Sequence, residues 1–561
     1  MAEKLVVIGG VAAGLKAAAS ARRNNPGAEI TVLEKGNLVS YGACGMPYYV
    51  AGDVETIQQL MMTPAGAVRN PDFFRNVKNI TVLTGTEATA IDRAAKKVVA
   101  RELTTGAEKV FPYDKLVLAT GAVPIKPGLP GVDLGNIHQF WHPRDAEAVR
   151  EGLAQGRYKR VVIIGAGLVG LEMAEAVKQW DAEVTMVEMR DQILAAALDE
   201  EIAGAVAQAV TARGITLLTG EKVVRFQGDS VVRQVVTDKR TLPADLVILA
   251  MGVRPNVELA RAAGLTIGAS GAIAVDERLQ TSDPDIYAGG DCAENTHILS
   301  GQKLFTPMGS TANKHGRVIG DNICGKPARF RGVLGTMVVK ILDMNVGKTG
   351  LTEREVKQLG YEYITAMAGG HDRPHYMPGA KLITVKLVAD PKTRKLLGAQ
   401  VFGEGEVAKR VDIAAALLTT GGTLDDLSDL DLSYAPPFNS PIDTVAVAAN
   451  VVINKLSGKF KGISPQAAKA EREKETTVFL DVRSADECKQ LRLAGGEKVR
   501  HIPLGELRSR LDELAKNNEI IALCKIGLRG YEAALILEGD HFENVKVLEG
   551  GLNAWPYEKD T

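Results

Sequence analysis

Cys44 stands in the run Ser40-Tyr-Gly-Ala-Cys-Gly-Met-Pro-Tyr-Tyr. A helix beginning near it would aim free N–H groups and a positive dipole end at the sulfur, which favours the thiolate. No Cys-x-x-Cys and no Cys-x-x-x-x-Cys spacing occurs here, so a redox cycle cannot use a neighbouring disulfide. It must pass through a bond from Cys44 to a substrate sulfur, or through a sulfenic acid. Cys524 stands in Ile520-Ile-Ala-Leu-Cys-Lys-Ile-Gly-Leu-Arg-Gly, where a strand ends at the cysteine and a helix starts near Leu528. Loop N–H groups, that helix start, Lys525 and Arg529 would all stabilise a thiolate or a bound persulfide anion. Cys292, Cys324 and Cys488 read as structural.

These thiols need elements to position them, and two glycine turns supply the clearest. Residues 4–14 read Lys-Leu-Val-Val-Ile-Gly-Gly-Val-Ala-Ala-Gly: a β-branched run, glycines, then an Ala-rich helix from Leu15 to Arg23. A second strand, Glu29–Leu33, closes with Glu34, 20 residues past Gly14. This is a β-α-β unit of the dinucleotide-binding kind, in which Val11 replaces the middle glycine. The backbone can still approach a pyrophosphate if Val11 points away. A full fingerprint follows at Gly165, Gly167 and Gly170, with a helix Leu171–Trp180, a strand Glu183–Val187 and Glu188 at its end. The first glycines of the two units, Gly9 and Gly165, lie 156 residues apart. Each unit is followed by a strand ending in small residues, Leu116–Gly121 and Leu246–Gly252. Two such units imply two bound nucleotides.

Composition sets the frame. The chain has 561 residues, enough for three to four domains at about 150 residues each. Lys+Arg 67 against Asp+Glu 68 leaves a net charge of −1, which argues against a dedicated binder of nucleic acid or of a membrane surface. No apolar run is long enough to span a bilayer, and Met1–Lys4 leads straight into a strand rather than a signal peptide. Five scattered cysteines fit a reducing cytoplasm better than a disulfide framework. His138/His142 and His371/His375 are spaced as helical metal ligands would be, but Pro143 and Pro374 spoil the helices and no third ligand is evident, so no metal is expected. Between 326 and 450 strands (Met337–Ile341, Leu382–Val388) mix with a helix near Ala408–Thr420, the turn Ala435-Pro-Pro-Phe and an Ala/Val helix. A polar, Gly- and Lys-rich stretch reads as a linker. Strands at Val478–Val482, Ile520–Leu523 and Val545–Leu548, with helices Leu504–Leu514 and Leu528–Leu537, then suggest a small α/β domain.

At this point the motifs are specific. The GGVAAG turn, SYGACGMPYY, the LVLATG strand and Thr281-Ser-Asp-Pro-Asp-Ile-Tyr-Ala-Gly-Gly-Asp occur in order, and residues 1–450 resemble the FAD-dependent pyridine nucleotide–disulfide oxidoreductases, in the single-cysteine branch of coenzyme A-disulfide reductases. Leu480-Asp-Val-Arg, His501-Ile-Pro-Leu, the loop Cys524–Arg529 and Leu548-Glu-Gly-Gly-Leu-Asn-Ala-Trp make residues from about 463 resemble a rhodanese domain. The fusion is similar to NADH-dependent persulfide reductases. The resemblance implies an α/β fold of two Rossmann-like domains, an α+β dimerisation domain and a rhodanese-like α/β domain. The expected bounds are 1–149 with 255–325 for FAD, 150–254 for NAD(P), 326–450 for dimerisation, 451–462 for a linker and 463–561 for the rhodanese.

The resemblance also implies roles. Gly9, Val11, Gly14, Glu34, Ser40, Ala119, Gly121 and Asp291 would hold FAD, with Glu34 on the adenosine ribose and Asp291 on the ribitol. Gly165, Gly167, Gly170, Glu188 and Gly252 would hold the nicotinamide nucleotide. The Glu188 carboxylate repels a 2′-phosphate, so NADH is expected over NADPH, an inference that Arg190 weakens. Arg22 and Ser40 match the residues that bind coenzyme A, as substrate or retained ligand. Tyr376 and Tyr434 match tyrosines that reach the partner subunit's active cysteine, which implies a homodimer. The activity implied is NAD(P)H-driven reduction of a small-molecule persulfide, polysulfide or coenzyme A disulfide at Cys44, with sulfane sulfur relayed by Cys524. Two other readings compete. One is an NADH oxidase or peroxidase cycling Cys44 through a sulfenic acid; peroxidases of this fold carry a histidine in the first glycine turn, and position 12 is alanine. The other is a sulfurtransferase whose flavin part is regulatory.

Overall fold

The computed structural model describes residues 2–494 and 496–560. The chain divides into two compact units, 1–187 with 221–333, and 188–220 with 334–561.

The first unit is built on two parallel sheets. In one, the strands run Ile286–Ala288, Lys115–Leu118, Lys4–Ile8, Glu29–Leu33, Thr81–Leu83, with the first glycine turn leaving the central strand. In the other, Arg160–Ile164 lies between Glu183–Glu188 and Leu246–Leu249, and Ile137–His138 extends the edge. Strands buried on both faces read as continuous apolar runs, and Leu5, Val7, Leu116, Val117, Ile163 and Val247 are almost wholly buried. The helix Ala13–Asn24 turns its alanines and leucine onto the first sheet and lies along the helix Gly309–Ile323. Gly320 permits that approach, because a Cβ there would stand 2.4 Å from the Ser20 side chain. The strand Ile286–Ala288 pairs with Lys115–Leu118 of the first sheet, far along the chain from the other strands of that sheet.

The second unit holds two further sheets. An antiparallel one runs Met337–Ile341, Met344–Gly350, Leu396–Gly403, Leu382–Ala389, Ile364–His371. A parallel one runs Gly462–Ile463, Val545–Leu548, Glu519–Leu523, Thr477–Asp481, Val499–His501. The stretch 451–462, expected as a linker, is helical through Leu456 and leads over five residues into the strand Gly462–Ile463. Its polarity misleads because Lys455 is not a solvated residue: its ammonium meets the buried Glu549 carboxylate at 2.5 Å and the Thr365 carbonyl at 2.9 Å. Glu549 also accepts from the Met367 N–H at 3.2 Å. Burial pushes the Glu549 carboxyl up and Lys455 opposes that shift. The expected helix 504–514 breaks after Leu507 into a short 3₁₀ turn at Leu511–Glu513.

A second buried charge cluster joins the helix Glu200–Ala212 to the antiparallel sheet. Lys386, almost fully buried, reaches Glu201 at 2.5 Å, Glu353 at 2.8 Å and Asp199 at 2.9 Å. The lysine holds the Glu353 carboxyl down at about 2 against the effect of burial. That stabilisation is present above the usual glutamate range and disappears as pH falls towards 2. Replacing one partner of such a cluster strands the others in low dielectric. Lys386→Met is therefore expected to lower the unfolding free energy by about 3–5 kcal/mol, read from denaturant midpoints at neutral pH, with the deficit shrinking in acid.

Candidate functional site

The first glycine turn is a contact of backbone on backbone. Gly9 has φ +111°, and a Cβ there would stand 2.1 Å from the Ala119 carbonyl oxygen. Gly14, in the first helical turn, lies so close to the Gly9 carbonyl that a Cβ would stand 2.0 Å from its oxygen. The helix it opens starts at Ala13, earlier than the composition suggested, and has no side-chain cap. Its positive end is therefore open to an anion. Val11 sits half-buried at the bend before it. Glu34 braces the turn from the next strand, accepting from the Gly10 and Gly36 N–H groups at 2.7 Å each. Ser40 adopts a left-handed φ of +55° and donates its N–H to the Gly10 carbonyl.

The second turn repeats the design. A Cβ at Gly165, φ +103°, would meet the Ala250 carbonyl oxygen at 2.4 Å, and one at Gly170 would meet the Gly165 oxygen at 2.1 Å. Gly167 precedes the helix Leu168–Lys178 without a side-chain cap, and open space lies where its Cβ would be. That space at a bare helix start suits a pyrophosphate. Glu188 ends the following strand and accepts from the Arg190 N–H at 2.9 Å. Gly121 and Gly252, both left-handed, follow the matching strands and are tied by their carbonyls to Asn256 and Ile125. The residues present thus fit two dinucleotides.

Cys44 belongs to the same unit. It is exposed and free, in the 3₁₀ turn Ala43–Gly45. The helix that follows starts at Met46 and has six residues; Trp180 anchors it by donating from Nε1 to the Val50 carbonyl at 2.8 Å. The expected thiolate stabilisation by a helix start is corrected here. The sulfur packs against protein, and burial raises its pKa, with Glu172 and then Asp291 adding to the rise against one backbone N–H. Burial pushes the Asp291 carboxyl up to about 6. Burial and Glu175 push Glu172 up to about 7. Two carboxyls that exchange protons near neutrality therefore surround the thiol. Glu172 did not emerge from the motifs. Its signal was a pair of acids, Glu172 and Glu175, on an otherwise apolar helix directly after the third glycine.

Arg22 is placed differently from the expectation. Its guanidinium donates to the Pro26 and Asn79 carbonyls at 2.6 and 2.7 Å, so its fork is committed to the chain itself. Cys292 is core, its sulfur against the Leu118 and Gly289 carbonyls. His142 caps the helix Pro143–Ala154. Among the described residues, no group of three His, Cys, Asp or Glu side chains could hold a metal ion.

In the second unit Cys524 is buried where the strand Glu519–Leu523 ends, and its sulfur accepts from the Gly527 N–H at 3.2 Å. Gly527, φ +108°, turns the loop into the helix Leu528–Gly539. Arg529 interacts with the Cys524 sulfur, while its two terminal nitrogens donate to Glu487 at 2.7 Å each. That fork holds the Glu487 carboxyl down at about 2. Asp481, Arg483 and His501 serve as struts. Arg483 grips Asp481 and the Leu491 carbonyl, and His501 Nε2 meets the Arg483 carbonyl at 2.8 Å. The loop abuts the antiparallel sheet, where Gly369 donates its N–H to the Ile526 carbonyl at 3.3 Å. Tyr376 and Tyr434 are well exposed on this unit, as are Phe438 and Ile442.

The family "pyridine nucleotide-disulphide oxidoreductase" matches residues 3–312, its dimerisation domain 336–446 and a rhodanese-like domain 464–558. The chain belongs to this family of FAD- and NAD(P)H-dependent oxidoreductases and carries a rhodanese domain. It is 40% identical over 452 residues, 81% of this chain and 99% of the relative, to an NAD(P)H coenzyme A polysulfide/persulfide reductase of Pyrococcus horikoshii. A structure of an NAD-dependent persulfide reductase from A. fulgidus matches with TM-score 0.94 and 44% identity, covering 98% of this chain and all of the other. Reduced CoADR-RHD of Bacillus anthracis matches with TM-score 0.91 and 32% identity, covering 99% of this chain and 98% of the other.

The electrostatics set a testable pH profile. Alkylation of Cys44 by iodoacetamide, followed by peptide mapping, is expected to rise with pH through a midpoint above the ordinary thiol range. Glu172→Gln removes a nearby negative charge, so its midpoint is expected lower and its alkylation at neutral pH faster.

Proposed function

We propose that this chain uses NADH to reduce the sulfane sulfur of a small-molecule persulfide or polysulfide, coenzyme A persulfide or disulfide foremost, at Cys44, and that Cys524 delivers sulfane sulfur to that reaction. The observation that carries the reading is an exposed thiol without a disulfide partner in the unit that holds both glycine cradles. The names of similar proteins, which pair coenzyme A with persulfide reduction, support it. Bound FAD and NADH supply the hydride and the electron pair.

The chain's own residues do the sulfur chemistry. Cys44 loses its proton, and its thiolate attacks the outer sulfur of R–S–SH. The S–S bond breaks, leaving Cys44–S–SH and the thiolate RS⁻. Two electrons then cleave the Cys44 persulfide to a thiolate and hydrosulfide. With a disulfide as substrate the same attack leaves a mixed disulfide. Glu172 and Asp291, with pKa values raised towards neutrality, hold or accept protons beside the thiol. Tyr376 and Tyr434 of the partner subunit donate hydrogen bonds to the leaving thiolate. The exposed Phe438 and Ile442 on the same unit favour such a homodimer. Ser40 remains the candidate contact for the thiol carrier. Glu188 disfavours a 2′-phosphate and so NADPH. Cys524 holds the sulfane sulfur against the Gly527 N–H, with Arg529 alongside. Five free cysteines fit a cytoplasmic enzyme. Alanine at position 12 weighs against the peroxidase chemistry.

Cys44→Ser is expected to abolish NADH oxidation driven by coenzyme A persulfide while flavin bleaching by NADH continues. Full turnover in that variant overturns the reading. Cys524→Ala is expected to remove thiosulfate:cyanide sulfur transfer and to slow NADH oxidation when thiosulfate is the sulfur source, with coenzyme A disulfide reduction unaffected.

A further inference from the structure

A cavity of about 480 Å³ opens in the second unit, within the range of nucleotide and cofactor sites. The helix Glu200–Ala212 lines one wall with Ala205, Ala209 and Ala212, and Leu382 and Phe402 line another. Its polar lining is unequal in charge. Arg213 is paired with Asp343 and Glu404, and Lys381 lies 2.8 Å from Glu404. Lys525, next to the rhodanese cysteine, and Lys559, near the end of the chain, also line the cavity. Among the described residues neither has a carboxylate at ion-pair distance. Burial depresses the Lys559 ammonium to about 8. His371, also in the wall, is pushed down by burial and by Lys525, so it adds little positive charge at neutral pH. The cavity therefore combines an apolar wall with two ammonium groups that pair with no carboxylate among the described residues.

We infer that this cavity binds a phosphorylated organic anion of nucleotide size, its phosphates between Lys525 and Lys559 and its apolar body against Phe402 and the alanine face. An anion restores to Lys559 the partner that its burial removes, and an oxyanion with several charges matches two lysines better than one. Inorganic oxyanions alone leave the apolar wall wet. The assignment does not depend on the sulfur chemistry, because it concerns binding and is read without turnover.

The test is site-resolved acetylation of the full, FAD-loaded chain by acetic anhydride, followed by peptide mapping, with ADP, pyrophosphate or thiosulfate as the probe. ADP is expected to protect Lys525 and Lys559, pyrophosphate to protect them less, and the exposed Lys459 to react equally throughout. In calorimetry, Lys559→Met is expected to weaken this class of ADP sites by about tenfold or more, as for loss of one charge-assisted contact, and Lys559→Arg to retain it. No protection by ADP, protection by thiosulfate alone, or unchanged ADP binding in Lys559→Met overturns the proposal.

Discussion

Cys44 has no second cysteine in its turn or helix, and the nearest along the chain is Cys292, a core residue. A lone thiol cannot cycle two electrons through an internal disulfide and its dithiol. The second sulfur has to arrive from outside, and the products of cleavage have to leave. That constraint explains why the thiol is exposed while its sulfur rests against protein. It also explains the surroundings: carboxyls that change protonation near neutrality suit a cycle in which a thiol loses and regains a proton. A thiol held above its usual pKa is a poorer nucleophile by population but a stronger one per thiolate, and it resists stray oxidation.

Backbone contact holds the cofactor turns. In both, the third glycine sits on the carbonyl of the first, and the first sits on the carbonyl that follows a parallel neighbour strand. No side chain fits at these points, so the turns are set by strand spacing and cannot drift. Charge does the same work in the second unit. Buried Lys386 with its three carboxylates, and half-buried Lys455 with the buried Glu549, each fix one element against a sheet. Buried ion clusters contribute little net stability, but breaking one leaves a charge unpaired in low dielectric. The rhodanese loop is held by close backbone approach instead, its Ile526 against Gly369.

The parts of the molecule legible in the sequence were those with a local physical cause. Both glycine turns, the central strands and the helix Ala408–Thr420 follow from periodicity and from positions where only glycine fits. The environment of Cys44 was not legible. A helix start two residues late and carboxyls contributed by Glu172 and Asp291 reverse the direction of its pKa, and such contacts span more than a hundred residues of chain. Arg22 was matched to coenzyme A binding by resemblance alone, and its guanidinium donates to the Pro26 and Asn79 carbonyls, contacts that no motif shows. The contact inside the stretch expected as a linker was hidden for a related reason: Lys455 meets a buried acid 94 residues away.

The central claim is that electrons reach the substrate through a covalent bond at Cys44. Acid-quenching the anaerobic, NADH-limited enzyme during turnover with coenzyme A persulfide, and mapping its peptides by mass, tests this directly. The account expects the peptide containing Cys44 to carry a persulfide or a mixed disulfide that disappears when NADH is in excess. Sustained turnover with that peptide unmodified, and the adduct confined to another cysteine, would contradict it.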